Sequence, residues 1–127
     1  MGMNLKISAK SGFLHVMATG EFSLEEAKRI FIEVLDIVAE QKAEKILCDG
    51  REVKGEPEKF ERFLYGKFAA ETVERYIIEQ GIPRPQFAYV LHEPVLDPKR
   101  SGETVAVNWG MRVKVFDNLE DALEWLR

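Results

Sequence analysis

The parts from which this sequence could build chemistry are few. His15 and His92 are its only two histidines, and Cys48 is its one cysteine. No serine or threonine lies between Asp49 and Ala70. Two imidazoles do not make a metal site by themselves, because such a site needs further ligands at matched geometry. The run His92-Glu93-Pro94-Val95-Leu96 starts like a zinc-protease helix but has leucine where the second histidine belongs. His15 lies between Leu14 and Val16 and reads as a structural side chain. His92 follows an apolar run, and ligands of α/β sheets bind at the carboxyl ends of strands, so His92 is the better functional candidate. Cys48 follows Ile46 and Leu47, which predicts a buried, inert thiol. Asp49 reads as a turn carboxylate accepting backbone N–H groups at Gly50 and Arg51. The glycines match neither nucleotide-binding pattern, and the G-x-S-x-G elbow is absent. Arg84, Lys99 and Arg100 make one modest basic cluster, a candidate anion contact near a helix that starts at Ser101. No metal, no cofactor and no catalytic residue is expected.

These side chains must be positioned by 127 residues, 46% apolar and 31% charged, which reads as one globular domain spanning residues 1–127. Lysine and arginine number 18 against 22 acidic residues, a net charge of −4. Nucleic acid, which needs a clustered positive surface, is therefore not an expected partner. A single cysteine cannot form an internal disulfide and fits a reducing compartment. The start, MGMNLKIS, has no apolar signal core, and no apolar run approaches the about 18–20 residues that cross a bilayer. The expected location is cytoplasmic, with no membrane insertion.

Periodicity divides the chain into a β-β-α-β-α-β-α-β-α order. MNLKISAK alternates as a half-buried strand, Ser11-Gly12 makes a tight turn, and FLHVMAT pairs back as an antiparallel hairpin. Ser23-Leu-Glu-Glu26 predicts a capping box opening a helix that runs to about Gln41. KILCDG is a third strand, expected to stop at Asp49-Gly50. A long helix then runs from Pro57, in its first turn, to a stop at Gly81. Glu25–Arg29, Glu58–Arg62 and Glu71–Arg75 are spaced as i,i+4 pairs on the two long helices. QFAYVLH has the near-continuous apolarity of a central strand. A short helix from Ser101 to Trp109, the strand RVKVF and a capped helix LEDALEWL complete the order. Strict alternation after the hairpin implies parallel strands joined by right-handed crossovers.

The segment EKILCDGREV, the ending GMRVKVFDNLEDALEWL and this element order resemble the SpoIIAA-like group. That group comprises STAS domains, such as the anti-sigma-factor antagonists, and small bacterial STAS/SEC14-type proteins. The resemblance covers nearly the whole chain. It implies an α/β fold, a β-α superhelix on a five-stranded mixed sheet with four helices. It also implies a regulatory, non-enzymatic role. In the antagonists a phosphorylatable serine starts the helix after the DG-containing strand. The matching positions here are Pro57, Glu58 and Lys59, so no such switch is expected, and Glu56 or Glu58 could supply a fixed charge there. The longer SEC14-type lipid-transfer domains close their cavity with a gate helix, for which this chain has no expected counterpart.

If the strands lie in chain order, the helices crowd one sheet face. Leu5, Ile7, Leu14, Val16, Ile46, Cys48, Ala88, Val90, Val113 and Val115 are expected toward those helices. Phe13, Met17, Leu47, Phe87, Tyr89 and Leu91 then form an apolar middle on the other face. The second long helix carries large apolar residues on more than one side. Phe60, Phe63, Leu64, Phe68 and Tyr76, with Tyr89 and His92, are the expected ligand or partner surface. The reading is a non-catalytic binding or regulatory module, a homodimer or bound to another protein, using apolar surface from the second long helix or the open sheet face. Its alternative is a carrier or sensor of a small apolar or lipid-like ligand, held between Phe60–Phe68 and the sheet.

Overall fold

The structure, a computed structural model, describes residues 2–127. Strands β1 (Asn4–Lys10) and β2 (Phe13–Glu21) pair as an antiparallel hairpin. β3 (Lys45–Lys54), β4 (Gln86–Val90) and β5 (Arg112–Phe116) add in parallel, so the five strands lie in chain order. The helices are α1 (Leu24–Gln41), α2 (Lys59–Gln80), α3 (Ser101–Asn108) and α4 (Leu119–Leu126). The expected α/β architecture, a five-stranded mixed sheet with four helices, is the one observed.

The main core lies between one sheet face and α1, α2 and α3. Leu14, Val16, Ile46, Cys48, Phe87 and Val113 meet Phe31, Leu35, Val38 and Val73 there. A second, smaller core lies on the opposite face, where Leu47, Ala88 and Val90 are covered by Ala122 and Leu126 of α4. Two expectations are corrected by this. The apolar middle of the second face is not open, since α4 lies over it. β4 is also turned over: register pairs Ile46 with Phe87 and Cys48 with Tyr89, so Phe87 and Tyr89 face the three helices, while Ala88 and Val90 face α4. A strand apolar on both sides carries no alternation to mark its faces, and a slip of one residue exchanges them.

β3 does not stop at Asp49-Gly50 but runs on to Lys54. The DG pair is absorbed by an irregularity: Met17 pairs with Asp49 and Thr19 with Glu52, so β3 carries one extra residue across this step. Beyond it, Val53 packs against the main core.

Helix ends follow the sequence in part. Ser23 Oγ accepts the Glu26 N–H at 3.3 Å, as predicted. Glu26 does not reach back to Ser23. Its Oε1 accepts the Met3 N–H at 3.1 Å and an Arg29 N–H at 2.9 Å, which clips the N-terminal segment to α1. Arg29 pairs with Glu26 and Glu33 in place of Glu25. Arg62 donates to the carbonyl of Pro94 at 2.6 Å and not to Glu58. Arg75 lies over the Tyr76 ring, 5.9 Å from its centroid, in place of a Glu71 pair. Pro57 lies outside α2, before the N-cap Glu58, whose N–H donates to Glu61 at 2.8 Å. Gly81 ends α2 in the left-handed conformation, φ 67°, as its position predicts.

α2 and α3 touch through their backbones. A Cβ on Gly66 would lie 2.5 Å from the Gly102 carbonyl oxygen, and one on Gly102 would lie 3.2 Å from that of Arg62. In an isolated helix, Gly66→Ala would stabilise by about 1 kcal/mol. Here the added methyl must push α3 off α2, so the variant is expected to lose about 1–3 kcal/mol net. Urea denaturation measures this, and a stabilised Gly66→Ala protein would show that the two helices do not hold each other at this distance.

Candidate functional site

An apolar cavity of about 180 Å³ lies under the inner face of α2, at the carboxyl ends of the parallel strands. α1 contributes Ile30, Phe31 and Val34; the sheet contributes Val16, Cys48, Tyr89, Val113 and Val115; α2 contributes Tyr65, Gly66 and Ala69; α3 contributes Ala106. The Tyr65 and Tyr89 hydroxyls bond each other at 2.7 Å, and the rings meet edge to face. Burial raises both phenols above their ordinary range, so neither is a phenolate at neutral pH. Burial also pushes the Cys48 thiol up to about 12, against the relief offered by the Tyr89 hydroxyl. A thiol held protonated is no nucleophile. Cys48 is thus a buried and inert side chain, as the sequence predicts.

The rim of the cavity is polar, and its charges are largely occupied. Asp97 accepts the Ser101 and Lys99 N–H groups, each at 3.0 Å, which satisfies the start of α3 and lowers its carboxyl, the Ser101 bond first. Glu103 accepts the Val115 N–H at 2.6 Å, and Arg100 donates to the Val115 carbonyl. Arg62 reaches the Pro94 carbonyl from α2.

The expected site residues do not come together at one place. Tyr89 lines the cavity. Phe60, Phe63 and Leu64 do not: they point outward, 58%, 46% and 37% exposed. Within the expected stretch Phe60–Phe68, the residues that line the cavity opposite the sheet are Arg62, Tyr65 and Gly66, with Ala69 just beyond it. The helix turns about 100° per residue, so side chains one turn position away from the expected set face inward. Phe68 lies under the Lys28 ammonium, 5.3 Å from the ring centroid, and the Tyr76 hydroxyl donates to Asp36 at 2.6 Å. His92 is exposed just past β4, with no hydrogen-bond partner for its ring among the described residues. The basic cluster does not assemble. Arg84 precedes β4 and pairs with Glu74 at 3.0 Å, while Lys99 and Arg100 follow β4, and the start of α3 is already taken by Asp97.

One constellation was not foreseen. On the α4 side of the sheet, Asp49 is 1% exposed and accepts a forked pair of bonds from Arg51, Nε and Nη2 each at 2.9 Å. It also meets His15 Nε2 at 3.1 Å and the Arg51 N–H at 3.2 Å. Only this last bond belongs to the turn role read from the sequence. Parallel pairing of β2 with β3 brings His15 to Asp49, 34 residues away. The one hint was the polar pair Asp49 and Arg51 interrupting an apolar strand. Burial would raise the Asp49 carboxyl, but the Arg51 fork and the His15 bond outweigh it and hold the group at about 2.

A carboxyl below its unfolded value of 3.8 adds stability above that pH, and the contribution is lost as pH falls through about 2. Asp49→Asn is expected to cost about 2 kcal/mol at neutral pH and to flatten the acid limb of stability against pH. Urea midpoints of the two proteins from neutral to acid pH measure this; parallel curves would mean that Asp49 is not the group that titrates.

No family model and no curated protein matches this chain. Solved structures do. An anti-sigma factor antagonist from Mycobacterium paratuberculosis superposes with a TM-score of 0.64 at 18% identity, covering 99% of this chain and 95% of that one. An uncharacterized protein of the DUF3478 family from Shewanella loihica, described as having a SpoIIAA-like fold, superposes with a TM-score of 0.51 at 20% identity, covering 99% and 94%. The strand order, the hairpin and the flanking helices are those of the SpoIIAA-like fold, and this chain has that fold.

Proposed function

We propose that this chain is a non-catalytic binding module of the cytoplasm that acts through protein–protein contact and has a second copy of itself as its first partner. The observation that carries this reading is the outer face of α2. Phe60, Phe63 and Leu64, at i, i+3 and i+4, are 58%, 46% and 37% exposed. That spacing is how a helix presents anchors to a groove or to another helix. Trp109, 51% exposed under the Lys67 ammonium, extends the surface by a turn. A helix face placed against its own copy on a two-fold axis is self-complementary, which makes the second copy the simplest occupant. The structural neighbour named an anti-sigma factor antagonist is, by that name, a protein directed at another protein. In this chain the contact works without a phosphorylatable serine: α2 opens on Glu58, a fixed negative charge at the positive helix end.

The cavity beneath the same helix favours a second reading, a carrier or sensor of a small apolar ligand.

Sedimentation equilibrium tests the first reading. The wild-type chain is expected to dimerise, and Phe60→Glu with Phe63→Glu is expected to raise Kd about 100-fold, because two charges would have to be desolvated at the contact. Both side chains are exposed, so the variant keeps its fold. A wild-type chain that stays monomeric up to about 1 mM overturns the self-association.

A further inference from the structure

Close packing leaves few voids in a protein larger than a water molecule, so a cavity of about 180 Å³ under α2 is a departure with a physical cost. Its walls decide what can fill it. Phe31, Tyr65 and Tyr89 form an aromatic side, where Phe31 meets Tyr65 edge to face with 6.1 Å between ring centroids. Val34, Ala69 and Ala106 are among the apolar residues facing it. A buried water needs about two to four polar partners, and such walls offer it few. The lining also holds five charged side chains, and each is already bonded within the fold. Asp49 holds Arg51 and His15, while Asp97 and Glu103 accept backbone N–H groups at α3 and β5. Arg62 and Arg100 donate to the carbonyls of Pro94 and Val115, and the Arg62 charge already acts on Asp97. Three carboxylates against two guanidiniums leave a negative excess that opposes an anion. A cation would give up its water for walls that are mostly apolar, with no carboxylate left uncommitted. Size narrows the choice further. Drug-sized ligands occupy pockets of roughly 300–1,000 Å³, whereas an apolar cavity of roughly 150 Å³ admits benzene.

We propose that the cavity binds an uncharged molecule built on a single aromatic ring, and that it excludes both ionised molecules and long-chain lipids. This rests on the reading of the chain as a ligand carrier and narrows the ligand to one charge state and one size. The ring lies between the aromatic side, Phe31, Tyr65 and Tyr89, and the methyl groups of Ala69 and Ala106. Edge-to-face contact with the aromatic side favours a ring over an alkyl chain of equal area. The selection against charge comes from the walls having no polar group free to replace the water that an ion would lose.

The test titrates four probes into the full chain at neutral pH: toluene, benzoate, benzylamine and 1-decanol. Toluene is expected to bind, and benzoate, benzylammonium and decanol are each expected to bind at least tenfold more weakly. Ala69→Leu, which fills the cavity, is expected to abolish toluene binding. A readout on the wild-type chain is independent of how that variant folds: bound toluene is expected to show nuclear Overhauser contacts to the Ala69 and Ala106 methyl groups. Toluene bound without those contacts overturns the assignment to this cavity. Benzoate or benzylammonium binding as tightly as toluene overturns the exclusion of charge, and decanol binding as tightly overturns the size limit; either result leaves the carrier reading standing. Failure of all four probes to bind overturns the proposal and the carrier reading together.

Discussion

The arrangement depends on burying β4 from both sides. Phe87, Ala88 and Val90 have no exposed surface, and their side chains go to opposite faces of the sheet. A strand of that kind needs helices above and below it. Chain-order winding supplies α1, α2 and α3 on one side only, so the last helix has to return to the other. α4 does so with Ala122 and Leu126 over Leu47, Ala88 and Val90, and the Gln86 side-chain amide donates to the Trp125 carbonyl to fix its end. The edge strand β1 is covered on one face only, where Leu5 and Ile7 pack against the main core, and is polar on the other, with Asn4 and Lys6 exposed.

The buried polar cluster belongs to the same constraint. Where α4 ends its cover, the sheet face continues as His15, Asp49 and Arg51. An unpaired carboxylate as deeply buried as Asp49 would be untenable, and the guanidinium fork with the imidazole makes it stable in ionised form. The irregularity after Asp49 serves this pairing, because it lets Val53 return to the main core while Arg51 stays with the carboxylate. With the guanidinium and the imidazole both committed to one carboxylate, the cluster is a closed polar unit built into the sheet.

Element types and order were readable in the sequence because periodicity and caps are local: Ser23, Gly81 and the alternation of β1 and β5 all acted as their positions predict. The faces of β4 were not, because Phe87-Ala88-Tyr89-Val90 offers no polar residue to mark a side. Asp49-Gly50 looked like a turn for want of any local sign that β2 would pair beyond it. His15 and Asp49 meet through sheet register, and the Gly66–Gly102 contact through a helix crossing; apart from the polar pair Asp49 and Arg51 in an apolar strand, neither leaves a trace in neighbouring residues. The outward Phe60, Phe63 and Leu64 were anticipated as surplus apolar surface, while the inward set around Tyr65 was not separated from them, since the apolar residues of α2 are spread over more than one side.

That lack of amphipathicity is itself the mechanical point. α2 is anchored by its C-terminal half: Ala69, Ala70, Thr72, Val73 and Tyr76 are buried, and Tyr76 is tied to Asp36 of α1. Its N-terminal half has Phe60, Phe63 and Leu64 outside and Arg62, Tyr65 and Gly66 over a cavity. A helix covered on one side by incompletely filled space and on the other by solvent gains little from packing over those turns. Besides the Tyr65–Tyr89 bond to β4, what holds them is the backbone contact of Gly66 with Gly102 and the bond of Arg62 to Pro94, both made to the segment that follows β4. Material added on either side, in the cavity or on the outer stripe, therefore stabilises the same few turns. A molecule that fills the inside and a partner that covers the outside would favour each other through the order they impose on one segment, without any need for a large change of shape.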